Sequence, residues 1–492
     1  MKVAETRTAK SLLNAKVGAA CYLLSLLVSF FTRGIFLQYL GTEFLGFNDS
    51  LLSILGFLNI AEFGIAGAVN IVLYRPIFEH DRQQIAAIVS VLGYLYRCVG
   101  LFILIGGVVV SLFLPLIFPQ TSFSWLTVYA GFYAYLFTSL LGYFVNYRAV
   151  LLGADQRGYI VKGYFQIAYT VKTVVQLIVA VYFCHYLLYF SIEVLFSIVY
   201  CLILSHQISQ TYPWLQTQAS SGRALLSSYP EVLTKVRQQM VHKVGSFVQT
   251  RSTPLFVYAF VSLPMVALYS NYLLVTGSLR TLMENVFGST SASIGNLVAS
   301  GDTSRSYSVY LELLSFRFFV TGILSGCLCL LTSDFISLWL GSAYLLPTAF
   351  FLLLVLQFFL MQERDVTDQF LYAYGLVQDV WSPVVESAVF ILATVFFGMR
   401  WGLAGVMMGP VTSLLLVIYI WKPYFLFTQG FRYPLRRYLI PFLHYLTLTA
   451  GSIALTGIFL SQFFADGAAG WAHWVLKAFI CFCIITALMA FL

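Results

Sequence analysis

Apolar residues in this chain neither alternate with polar ones nor recur as a single helical stripe. They run in long blocks, at about 14–40, 45–74, 86–117, 125–152, 159–184, 187–211, 238–262, 264–299, 309–332, 346–371, 380–398, 402–421, 438–462 and 470–492. A helix needs about 20 mostly apolar residues to cross a bilayer, and each block is of that order. Strands of a membrane barrel would alternate apolar and polar instead, which sets a barrel aside. The pattern predicts an all-α polytopic membrane protein of about fourteen transmembrane helices. An even number places both termini on one side.

Composition agrees. Of 492 residues, 60% are hydrophobic and 9% are charged, against about 25% charged in a soluble protein. A soluble enzyme is therefore not expected. The net charge of +8 reads as topology before it reads as a partner, because Lys and Arg collect in cytoplasmic loops. Loops after even-numbered blocks carry Arg75 and Arg82; Arg157 and Lys162; Arg223, Lys235 and Arg237; Arg305; and Lys422, Arg432, Arg436 and Arg437. Loops after odd-numbered blocks are short and nearly free of base, with Arg400 the exception. Both termini are thus expected in the cytoplasm. The first block runs on to Leu40, too long for the apolar core of a cleavable signal. The eight cysteines lie in apolar stretches without a CxxC pair and read as small hydrophobes.

Sliding the second half over the first by about 223 residues superposes blocks 7–12 on blocks 1–6. Leu45-Gly46-Phe47-Asn48 then meets Leu268-Tyr269-Ser270-Asn271, Tyr96-Arg97 meets Phe316-Arg317, and Glu62 falls beside Glu284. The expected organisation is an N-terminal lobe at 1–212, a cytoplasmic linker at 213–237, a C-terminal lobe at 238–430, and two added helices at 431–492. Six helices per repeat give the lobes one orientation, so they are pseudo-symmetric about an axis along the membrane normal. Such an arrangement suits a transporter working by alternating access around a cavity between lobes.

Charges at membrane depth are costly, so they mark function or pairing. Arg33, Lys172, Arg251 and Arg280 lie well inside apolar blocks. Arg33 and Arg251 occupy equivalent blocks and have no acid at i±3 or i±4, whereas Glu284 follows Arg280 at i+4. A cationic centre would suit a phosphate or carboxylate, which Arg grips with two parallel hydrogen bonds. The blander reading is pairing with buried acids. Glu62, Glu284, Asp368 and Glu386 are candidates for handling H⁺ or Na⁺, although the run Glu363-Arg364-Asp365 with Asp368 could equally be paired internally. Asp49 is expected near the outer, wetted end of its block. The spacings Gly322 to Gly326 and Gly405 to Gly409 are expected to mark close helix packing. There is no GxxxxGK[ST], HExxH or GxSxG, and the histidines are scattered. No enzyme activity, cofactor, metal or nucleic-acid partner is expected.

A series of motifs then carries a resemblance. It runs Leu45-Gly46-Phe47; Ala61-Glu62-Phe63-Gly64-Ile65-Ala66; Leu73-Tyr74-Arg75-Pro76 with Asp81; Ala154-Asp155-Gln156-Arg157-Gly158-Tyr159; Tyr212-Pro213; Leu268-Tyr269-Ser270-Asn271-Tyr272; Ser293-Ile294-Gly295-Asn296-Leu297; Phe335 to Gly341; and Trp401-Gly402-Leu403-Ala404-Gly405. Over about residues 15–430 this resembles bacterial polysaccharide-repeat-unit flippases, the Wzx-type branch of the multidrug/oligosaccharidyl-lipid/polysaccharide exporter superfamily. The resemblance implies twelve core helices with two added. It implies a cationic cavity and flipping of an undecaprenyl-pyrophosphate-linked oligosaccharide to the outer leaflet for surface polysaccharide synthesis. Implied partners are that lipid-linked oligosaccharide, membrane lipids, H⁺ or Na⁺, a polysaccharide polymerase and glycosyltransferases, in a bacterial cytoplasmic membrane. Where many similar sequences have an acid midway along block 7, this chain reads Thr250-Arg251-Ser252-Thr253-Pro254. The alternative function is an ion-coupled drug or metabolite antiporter of the same fold.

Overall fold

The computed structural model describes residues 7–62, 65–119, 121–155, 157–217, 221–229, 233, 236, 252–287, 294–295, 297–298, 301–376, 381–464 and 470–490. Among these the elements are helical, with no strand. The chain divides into two compact units, Met1–Arg251 and Ser252–Leu492.

The first unit opens with α1, Arg7–Leu58, 52 residues long. A straight helix of that length would measure about 78 Å, far more than a bilayer's hydrocarbon thickness. Gly41, with φ 84° and ψ 163°, breaks it. In one continuous helix Arg33 and Asp49 would lie about 24 Å apart; here Nη2 of Arg33 is 3.3 Å from Oδ2 of Asp49. The two residues are equidistant in sequence from Gly41, so α1 is a helical hairpin that reverses there. A left-handed φ is open to glycine at little cost. The apolar pattern breaks at the same place.

The second arm continues through the turn Asn59–Glu62 into α2, Ile65–Glu79. Asp81 caps α3, Arg82–Ile117, by accepting from the Gln84 amide at 2.9 Å. Ser124 caps α4, Trp125–Phe144, which bends by 57° into the stretch 146–154 containing α5, Ala149–Ala154. Then come α6, Gly158–Tyr182, α7, Tyr186–Thr211, and the short α8, Gly222–Leu226. Helix α6 packs on α1, and α7 packs on both α4 and α6.

In the second unit a helical stretch at 252–260 precedes α9, Leu263–Phe287, α10, Thr303–Trp339, and α11, Thr348–Ala373. Helix α12, Trp381–Ser413, reverses at Gly402, where φ is 54° and ψ −127°. The arms then touch so closely that a Cβ on Gly405 would fall 2.0 Å from the Phe397 carbonyl oxygen. One on Gly409 would fall 1.8 Å from the Thr394 hydroxyl. The Gly405–Gly409 spacing therefore marks close helix packing, as expected. The chain continues through a wide turn at 414–418 into α13, Tyr419–Phe425, then α14, Arg436–Phe463, and α15, Trp471–Met489. Gly322 and Gly326 lie on the face of α10 against Met489 and Ile485 of α15. The same face is pinned by Lys477 Nζ at 2.7 Å from Asp334.

Each unit is apolar inside and outside. Phe44, Phe47 and Phe132 are buried in the first, and Tyr310, Phe318 and Phe370 in the second. Yet Leu112, Leu116, Leu392 and Met399 are exposed, as suits faces turned to lipid. Eight described helices are long and apolar enough to cross a membrane, nine if the bent α4 pair is one span. Two of the eight ranges contain the reversals at Gly41 and Gly402. The chain is a multi-pass membrane protein.

Candidate functional site

The first unit holds its charges in small groups. Arg33 and Asp49 face each other across the α1 hairpin, with side chains 15% and 21% exposed. Asp49, expected to be wetted, is thus a partner of Arg33. Lys172 on α6 lies 2.8 Å from both carboxylate oxygens of Glu193 on α7. Gln176, one turn further along α6, donates to the same carboxylate at 3.1 Å and to the Tyr189 carbonyl at 3.2 Å. Gln166, the other glutamine beside Lys172, accepts from Ser25 instead. Glu62, at the end of the turn after α1, accepts from the Tyr96 hydroxyl at 2.9 Å on one oxygen and from Tyr143 at 2.8 Å on the other. Among the described residues its carboxylate is held by neutral donors rather than by a cation.

The loop ends of this unit are clasped. Tyr212, just past α7, donates at 2.8 Å to Asp155, which also pairs with Arg157 at 3.1 Å. Burial and the neighbouring Asp155 carboxylate push the Tyr212 hydroxyl up, so it keeps its proton and remains a donor.

The second unit connects its charges into a network around α11. Arg364 reaches Glu386 on α12 at 2.9 Å and Asp368 on its own helix at 3.2 Å. Lys422 on α13 pairs with Asp368 from the other side. Two of the predicted ion-handling acids, Asp368 and Glu386, therefore share one guanidinium. Lys422, counted from sequence among the loop bases, is drawn into the helical core by Asp368. Arg317 on α10, only 1% exposed, pairs with Asp365 at 2.5 Å and stacks 4.4 Å over the Phe287 ring. Glu363 lies beside these, 2% exposed, and neither of its oxygens has a hydrogen-bond partner. Arg280 and Glu284 form an exposed i,i+4 pair at 2.7 Å, as their spacing predicts. Arg251 lies outside the described residues.

Sequence reasoning missed Glu193, the only acid of its block; it noted Glu363 within a charged run and Arg317 in the repeat, but made neither a site candidate. A signal for Glu193 existed: α6 and α7 are joined by three residues, which makes a lone acid on one a candidate partner for Lys172 on the other.

Chemically, the pairs of the first unit can exchange a carboxylate for another anion. The network of the second can redistribute protons or cations among four acids. No protein-family profile matches this chain, and no curated protein sequence matches it. Solved structures do match in fold. The lipid II flippase MurJ in an inward closed conformation has a TM-score of 0.63 at 14% identity, over 97% of this chain and 98% of that one. A multidrug resistance MATE family transporter of the MOP superfamily, inward-facing, has a TM-score of 0.56 at 12% identity, over 84% of this chain and 97% of that one. The chain has the fold of these transporters.

Proposed function

We propose that this chain is a flippase. It carries undecaprenyl-pyrophosphate-linked oligosaccharide repeat units from the inner to the outer leaflet of a bacterial cytoplasmic membrane, by alternating access over fourteen crossings, for surface polysaccharide biosynthesis. The observation that carries this reading is the extent of the fold likeness: 97% of the chain follows a lipid II flippase, whereas 84% follows the drug transporter. The difference is about the length of α14, α15 and their connection, the added helices of the sequence pattern.

In this proposal Arg33, Lys172 and Arg251, with Arg280 as an outlying cation, receive the pyrophosphate. Arg33 and Lys172 are compensated by Asp49 and Glu193, which keeps an unpaired cation from being stranded in an apolar interior. Phosphate oxygens replace those carboxylates, and a guanidinium offers them two parallel hydrogen bonds. Glu62, Glu284, Asp368 and Glu386 are the proposed carriers of H⁺ or Na⁺. A polymerase and glycosyltransferases are the proposed partners on either side of the step.

The competing reading is a small-molecule antiporter of the same fold, which the drug-transporter likeness supports. Deleting the gene and analysing the lipids separates the two. The flippase reading predicts a lipid-linked saccharide accumulating in the inner leaflet and loss of a surface glycan. A deletion strain with unchanged lipids and new drug sensitivity overturns it.

A further inference from the structure

Along α10, Arg317, Thr321 and Ser325 are spaced four residues apart and so share one face. All three are at least 98% buried, and each presents an atom without a hydrogen-bond partner: Nε of Arg317, Oγ1 of Thr321 and Oγ of Ser325. Glu363 of α11 sits against this face, beside Arg317 and the Thr321 hydroxyl. Unpartnered buried polar atoms are rare in native proteins and call for an explanation. Here they line up along two turns of α10, with Glu363 beside Arg317 and Thr321.

Charge counting narrows what they serve. The network contains three cations, Arg317, Arg364 and Lys422, and four carboxylates, Glu363, Asp365, Asp368 and Glu386. Arg280, the next cation toward Asp365, is already paired with Glu284. Among the described residues Asp365, Asp368 and Glu386 each have a cation in contact and Glu363 has none, so the uncompensated charge falls on Glu363. The other groups facing Glu363 are Tyr310 of α10, Tyr419 of α13 and Tyr438 of α14, with Arg364, Asp365 and Asp368 on its own helix. None of the tyrosines brings a positive charge. A buried ionised carboxylate with no hydrogen bond and no contacting cation is among the costliest groups a protein can hold.

We infer that Glu363 is a proton-binding site inside the second unit, whose ionisation transfers Arg317 from Asp365 to Glu363. The arrangement seen, with Arg317 held by Asp365, is on this inference the one in which Glu363 carries the proton. When the O–H bond of Glu363 breaks, the proton passes to water reached at the Asp365 end, where that side chain is 36% exposed. The new carboxylate draws the Arg317 guanidinium inward, and Asp365 is released to the medium. Charge is conserved in the core, because one cation changes partner as one anion forms. The site stands whichever cargo the protein carries.

Infrared difference spectroscopy on the purified full chain, stepped in pH, tests this. The carbonyl stretch of a protonated carboxyl should appear and titrate in the wild type and be lost in Glu363→Gln, which keeps the side chain's size. Asp365→Asn supplies the second reading on an intact Glu363. With its partner neutralised, Arg317 should move to Glu363, stabilise the carboxylate and shift that titration to lower pH. A wild-type protein without such a band, or a band that survives Glu363→Gln, overturns the assignment of the proton. An unshifted or upward-shifted titration in Asp365→Asn overturns the exchange of Arg317.

Discussion

The two units hold their core acids differently, although Asp334 of the second is also in a simple pair, with Lys477. In the first, Glu62 takes one tyrosine hydroxyl on each oxygen, and Glu193 takes Lys172 and Gln176. Each acid there is closed by its immediate neighbours. In the second, Arg364 divides itself between Glu386 and Asp368, Lys422 shares Asp368, and Glu363 has no hydrogen bond. A closed pair responds to a change by losing that pair alone. A shared network passes the change on, because removing the Arg364 guanidinium strands Glu386 and throws Asp368 onto Lys422 alone. Small groups suit a site that must accept an outside anion by simple exchange. A shared network suits a site that must move a proton.

That contrast can be broken by substitutions read as thermal stability of the purified protein. The largest loss is expected from Arg364→Met, which strands Glu386 and leaves Asp368 to Lys422 alone; breaking a buried pair costs about 3–5 kcal/mol. Adding Glu386→Gln should restore part of it, and full additivity of the two changes would contradict a shared network. Next comes Glu193→Gln in the first unit, at roughly 1–3 kcal/mol, since Lys172 loses its charge partner but keeps a polar neighbour. Here the double change with Lys172→Met should return most of the loss, as expected of a closed pair. Tyr96→Phe and Tyr143→Phe should each cost about 1 kcal/mol, the usual worth of one hydrogen bond, and should not communicate with Lys172. Arg280→Ala should cost under about 0.5 kcal/mol, because its pair with Glu284 is exposed and lies within one helix. A large effect there would put Arg280 into the network and erase the distinction between exposed and buried charge.

The fold was more legible in the sequence than the pairing was. Breaks in the apolar blocks near Gly41 and Gly402 coincide with the observed reversals, because a left-handed glycine and a loss of apolar periodicity have one local cause. The Gly405–Gly409 spacing likewise reports contacts across the same reversal, with Phe397 and Thr394. Ion pairs depend on distant neighbours. Lys172 finds Glu193 21 residues on, Arg317 finds Asp365 48 residues on, and Lys422 finds Asp368 54 residues back. A rule based on i±3 and i±4 sees Arg280 with Glu284 and Arg364 with Asp368, and misses the rest. For that reason Arg33 looked unaccompanied along its own helix while Asp49 waited across the turn. Lys422 misled for a related reason: a base near a block's end looks like a loop marker until its acid partner is known.

Cargo separates a flippase from an antiporter of the same fold. The direct measurement reconstitutes the full chain in liposomes loaded on one leaflet with a polyprenyl-pyrophosphate-linked oligosaccharide, and follows the saccharide with a membrane-impermeant lectin. Wild-type protein should bring the saccharide to the opposite leaflet, and Arg33→Ala and Arg251→Ala should slow its arrival sharply while still inserting in the membrane. Transport that is absent in the wild type, or undiminished in both variants, contradicts the account.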